Sequence, residues 1–140
     1  MGTRMKVVDT NVLLYFFIPG DHTAAAESLL QVDSEWSAPY LWRSEFRNVL
    51  ALYVRQKMLR EAQALDIVRE AEALMDTHEF MVSSDDILPL AFASGLAAYD
   101  CEFVALARHL NVPLVTSEKK LLARFPADTL SLNSFKAHTE

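Results

Sequence analysis

The chain has 140 residues, 51% of them hydrophobic, enough to bury the core of one compact domain. A formal net charge of −6 excludes a protein that coats nucleic acid by bulk positive charge, though not an enzyme acting on it. The longest apolar stretch, Val12 to Ile18, is too short to cross a bilayer, no cleavable leader pattern is present, and the lone Cys101 has no internal partner; a cytoplasmic protein without membrane attachment is expected.

Residues 1–140 read as one domain, with Met1 to Arg4 either a tag remnant or an extended start ahead of Met5. Met5-Lys6-Val7-Val8 has the pattern of a short buried strand that ends in the turn chemistry of Asp9-Thr10-Asn11. Val12 to Ile18 follows as a short apolar helix closed by Pro19-Gly20. Asp21 is placed to cap a helix whose Ala25, Leu29 and Leu30 form an apolar face. Trp36 to Ala38 predicts a second strand, stopped by Pro39.

Two long helices come next. Phe46, Val49, Leu50 and Tyr53 form one buried stripe, with Glu45 just ahead of it near the helix start. Leu65, Val68, Leu74 and Met75 mark the second stripe, between Glu61 and Thr77. Phe80 to Val82 is a third strand. Ser83, Ser84 and Asp85 start a helix that Gly95 weakens or ends, and Asp100 opens another whose buried face is Phe103, Leu106, Ala107 and Leu110, ended by Asn111 and Pro113. Leu114-Val115 is a strand, Glu118 to Arg124 a short helix, and Thr129 to Leu132 a last strand. This alternation implies an α/β sandwich with a mainly parallel sheet.

Four carboxylates stand where a strand hands over to a helix or just inside a helix start: Asp9, Glu45, Asp100 and Glu118. Alone, each is explained as a cap or a first-turn acid. Together they suggest more, because ligands of open α/β sheets bind at the carboxyl ends of strands, and Asp9 and Glu118 both follow apolar strands. Carboxylates gathered there repel unless a divalent cation neutralises them, which makes Mg²⁺ or Mn²⁺ the first expectation. Thr10, Asn11, Thr116 and Ser117 are short polar groups able to orient the acids. His22, His78, His109 and His138 are scattered, with no zinc spacing, and read as surface side chains. The aromatic set Tyr15, Phe16, Phe17, Trp36, Tyr40 and Trp42 reads mostly as core.

The blocks Val7-Val8-Asp9-Thr10-Asn11-Val12-Leu13-Leu14, Ser44-Glu45-Phe46-Arg47-Asn48-Val49-Leu50, Tyr99-Asp100-Cys101-Glu102-Phe103-Val104-Ala105-Leu106-Ala107 and Leu114-Val115-Thr116-Ser117-Glu118-Lys119-Lys120-Leu121 resemble the PIN-domain nucleases, and within them the small toxins of the VapC type. The resemblance implies a PIN-like three-layer sandwich and a metal-dependent endoribonuclease that leaves a 5′-phosphate and a 3′-hydroxyl. It implies one or two Mg²⁺ or Mn²⁺ ions on Asp9 and Asp100, with Glu45 and Glu118 acting directly or through water. Glu118 stands where the family usually has Asp, and Glu102 is an extra acid that projects about 200° around its helix from Asp100. The resemblance further implies an RNA substrate, a cognate antitoxin and a homodimer. Arg43, Arg47, Lys119, Lys120 and Arg124 are candidate phosphate contacts beside the acids, although each alone reads as a solvated helix residue.

Two rival readings remain open. Asp9-Thr10-Asn11 superficially fits phosphoryl transfer through an aspartyl phosphate, but Asn11 cannot supply the second acid which that chemistry needs. A catalytically degenerate PIN-like module that binds RNA or protein is the other, and Glu118 is the feature that favours it.

Overall fold

The computed structural model describes residues 5–135; Met1 to Arg4 and His138 lie outside them. Five strands form one sheet: β1 (Met5–Val8), β2 (Glu35–Pro39), β3 (Glu79–Phe80), β4 (Leu114–Thr116) and β5 (Thr129–Ser131). Their order is β3-β2-β1-β4-β5 and every pairing is parallel. The helices are α1 (Thr10–Phe17), α2 (Thr23–Val32), α3 (Leu41–Arg55), α4 (Glu61–Met75), α5 (Ser84–Ser94), α6 (Ala98–Leu110) and α7 (Lys119–Arg124), with a 3₁₀ turn at Leu132–Phe135. They flank the sheet, giving the expected α/β sandwich. Among the described residues no single helix is long and apolar enough to cross a membrane.

Strand order decides where a site can form. The chain builds outward from β1 through β2 to β3, then α5 and α6 carry it back so that β4 pairs with the other edge of β1. The direction of winding therefore reverses between β1 and β4, and the crevice beyond their carboxyl ends is the natural ligand position. Val8 pairs with Val115 in register, so Asp9 and the Thr116-Ser117-Glu118 segment leave the sheet side by side.

The core explains why these segments hold their places. Val7, Val8, Leu114 and Val115 are fully buried in the central strands, as parallel strands covered on both faces must be. Trp36, Trp42 and Phe46 are the largest fully buried side chains. Phe46 meets Trp42 edge-on with ring centroids 5.4 Å apart, and Phe17 at 6.5 Å. Burying an aromatic of this size contributes roughly 2–3 kcal/mol.

Several boundaries differ from the sequence expectation, each for a local reason. Asp21 does not cap α2: His22 occupies that position, and the Thr23 hydroxyl fixes the turn by donating to the Tyr15 and Ile18 carbonyls. Helix α3 starts at Leu41, so Glu45 sits in its second turn. The buried residues of α4 are Ala71 and Met75, while Leu65 is 53% exposed. Tyr40, expected in the core, is 52% exposed. Gly95 ends α5 with φ of 74°, the left-handed conformation in which a side chain is strained, and Asn111 does the same for α6. The axes of α5 and α6 turn by 118° at that Gly95 corner, which sends α6 back across the sheet with Asp100 in its first turn.

Candidate active site

Asp9 is the N-cap of α1, and its Oδ1 accepts from the Val12 backbone N–H at 3.1 Å. Its Oδ2 accepts from the Thr116 hydroxyl at the end of β4. The same Thr116 oxygen accepts the Glu118 backbone N–H at 2.9 Å. One threonine thus ties the ends of two adjacent strands together and sets both acids. Thr10 donates to Glu45 Oε1 at 2.6 Å, joining α1 to α3, and Asn11 Nδ2 reaches Glu118 Oε1 at 3.4 Å. Ser117, expected beside the acids, shares a hydrogen bond of 3.2 Å with the Tyr15 hydroxyl instead.

Asp9, Glu45, Asp100 and Glu118 all line one open cleft of about 330 Å³. Its other walls are Leu14, Val49, Phe103 and Leu121, with Asn48, Tyr99 and Lys120 also bordering it. Asn48 is not singled out by its sequence block, yet it lies three residues past Glu45, on the same face of α3. Glu102 does not border the cleft. Asp100 Oδ2 is closed off from solvent and lies 3.1 Å from Lys120 Nζ, without the alignment of a hydrogen bond.

The electrostatics register this crowding. Burial pushes the Asp9 carboxyl up to about 6; its bonds to Thr116 and Val12 pull the other way, and Glu118 and Glu45 add to the rise. Glu45 is raised by burial first, against its bond to Thr10, and then by the charges of Asp100 and Glu118. Glu102 is raised by burial and by Glu45. Pairing with Asp100 raises Lys120. The four acids are near enough to feel one another, yet among the described residues no three acidic, His or Cys side chains stand close enough to make a ready metal shell. The donor set is hard carboxylate oxygen without thiol or imidazole, which suits Mg²⁺ or Mn²⁺ with water completing the coordination. The residues present therefore fit such an ion, with the carboxylates arranged around the cleft rather than drawn together.

The flanking cations divide into two groups. Arg43 donates to both oxygens of Glu79, at 2.5 and 2.8 Å, and also pairs with Glu72. Arg124 donates to the Ser94 carbonyl at the end of α5. Those two serve the fold. Arg47 reaches Glu72 at 3.7 Å from a half-exposed position, and Lys119 is exposed.

A family model described as a PIN domain matches residues 6–127. The chain is 27% identical over 124 residues to Ribonuclease VapC3 of Pyrobaculum aerophilum, covering 86% of this chain and 95% of that one. Among solved structures it is similar to PAE2754 from Pyrobaculum aerophilum, with a TM-score of 0.74 and 19% identity over 94% of this chain and 86% of the other. A toxin–antitoxin complex from Klebsiella pneumoniae gives a TM-score of 0.64 and 18% identity, covering 91% of this chain and 97% of that one.

Proposed function

The chain belongs to the PIN-domain family, and on that premise we propose that it is a divalent-metal-dependent endoribonuclease serving as the toxin of a toxin–antitoxin pair. The observation that carries the enzymatic reading is the gathering of Asp9, Glu45, Asp100 and Glu118, from four remote segments, around one cleft at the strand-order reversal. The relative named Ribonuclease VapC3 supports RNA as the substrate class. The structural neighbour titled a toxin–antitoxin complex supports a cognate antitoxin as partner. A homodimer is proposed on the family resemblance.

In this reading Asp9 and Asp100 hold the ion, and Glu45 and Glu118 complete its surroundings directly or through water. When bound, Mg²⁺ or Mn²⁺ acidifies a water for in-line attack at phosphorus and offsets charge on the leaving oxygen. The chain's own groups do the positioning. Thr116 fixes the Asp9 carboxylate, and Thr10 and Asn11 aim Glu45 and Glu118. Leu14, Val49, Phe103 and Leu121 place apolar walls beside the acids, so charges in the cleft are screened less than in bulk solvent. Arg47, Lys119 and Lys120 remain to steady the RNA backbone, and no histidine or serine nucleophile is needed.

The test is cleavage of RNA by the wild type, Asp9→Asn and Asp100→Asn with Mn²⁺ and with chelator. Chelator and each substitution are expected to lower the rate by about 100-fold or more. Wild-type rates in either variant would remove that residue from the site. Mn²⁺ binding without cleavage of any RNA would favour the degenerate binding module.

A further inference from the structure

Resting on the metal-site reading above, we propose that Lys120 is the internal competitor of the metal: its ammonium serves as the counter-ion of Asp100 in the metal-free protein and must give way for the cation to load. Among the described residues, Lys120 is the one basic side chain that lines the acidic cleft. It reaches back from the first turn of α7, the helix that Glu118 caps, to Asp100 in the first turn of α6. The pair joins 3.1 Å apart a side chain that is 52% exposed and a carboxylate that is 18% exposed.

The two ends of this pair are held very differently. Asp100 Oδ2 is sealed from solvent, so its charge needs a partner. Lys120 arrives on a flexible four-carbon stem, half in water, and meets that oxygen by charge without hydrogen-bond alignment. Such an ammonium neutralises the carboxylate and leaves at small cost. An ammonium and a divalent cation on one carboxylate repel, so they exclude each other rather than share it. The pair therefore sets the metal affinity below what the four acids alone would give. Lys119, its neighbour, carries the same charge but makes no ion pair among the described residues and does not line the cleft. A general loss of positive charge and the loss of this particular contact can thus be separated.

The experiment is calorimetric titration of the full chain with Mn²⁺, for the wild type, Lys120→Ala, Lys120→Arg and Lys119→Ala. Lys120→Ala is expected to bind Mn²⁺ about three- to tenfold more tightly than the wild type, the scale of a partly screened ion pair. Lys120→Arg, which keeps the charge, and Lys119→Ala are expected to stay within about twofold of it. Equal or weaker binding by Lys120→Ala, while the wild type still binds, overturns the competitor role and leaves the metal site standing. Tighter binding by Lys119→Ala or Lys120→Arg to the same extent also overturns it. No Mn²⁺ binding by the wild type removes the metal-site reading and this proposal with it.

Discussion

Asp9 shows what the cleft demands of a single side chain. Both of its oxygens are hydrogen-bonded, it caps α1, and burial still lifts it to about 6 from an ordinary 3.8. A carboxyl raised in the folded state keeps its proton longer there than in the unfolded chain. Between those two values the folded protein therefore binds more protons, and metal-free stability falls as pH rises; above about 6 the loss is complete and the curve is flat. The shift corresponds to about 3 kcal/mol. Asparagine caps a helix as well as aspartate does and carries no charge to desolvate. Asp9→Asn in chelator is thus expected to be more stable than the wild type by up to about 3 kcal/mol at pH 7.5, and no more stable at pH 4, as read by urea unfolding. A destabilised variant at pH 7.5 would mean that the ionised carboxylate contributes more through its two hydrogen bonds than it loses by burial. The same substitution is expected to abolish Mn²⁺ binding, so stability and function would move in opposite directions at one residue.

The packing of α3 decides what Arg43 can do. Arg43 and Glu45 are adjacent enough in sequence to suggest that the arginine flanks the site, but two residues turn about 200° on a helix. Arg43 therefore faces β3, where it and the Trp42 indole N–H, at 2.7 Å, converge on a Glu79 side chain that is only 6% exposed. The Glu79 carboxyl is lowered by its bond to Arg43 first, against burial, and then by Trp42. Glu79→Gln is expected to cost about 1–3 kcal/mol by weakening this clamp, and Arg43→Ala to lower the melting temperature. Neither should alter the salt dependence of RNA binding. A reduced salt slope in Arg43→Ala would restore arginine to the RNA surface. The same helix shows what periodicity reveals and what it hides. The stripe through Phe46, Val49, Leu50 and Tyr53 was legible, but its true start lies a turn earlier, where buried Trp42 precedes Phe46 by four residues. Leu65 fits the spacing on α4 and is nonetheless exposed, because the sheet and neighbouring helices, not the pattern, choose which face is covered. Asp21 lost its expected cap to a loop tied by the Thr23 hydroxyl, a contact that no local signal announces.

For the whole molecule, convergence of the acids was readable in proportion to how directly the strands dictate it. Asp9 and Glu118 follow buried apolar runs, and parallel pairing of β1 with β4 brings them together almost by definition. Asp100 follows from the return of α6 toward β4. Glu45 depends on where α3 packs against α1, and the Lys120 contact and the apolar walls depend on the tertiary arrangement throughout. The outer surface is less legible still, and it is where the proposed homodimer must be found. On α5, Leu88 and Phe92 are one helical turn apart and 42% and 77% exposed, with Met81 89% exposed just ahead of the helix. Large apolar side chains grouped on one helix face are costly to leave in water, and a two-fold contact would cover the same patch on both copies. That symmetry also doubles the effect of any substitution there. Light scattering of the wild type is expected to give about twice the chain mass of 15.8 kDa, and Phe92→Glu, which would bury a charge on each side of the contact, the single mass. A monomeric wild type would remove the dimer altogether. A Phe92→Glu variant that stays dimeric would keep it and move the interface off α5.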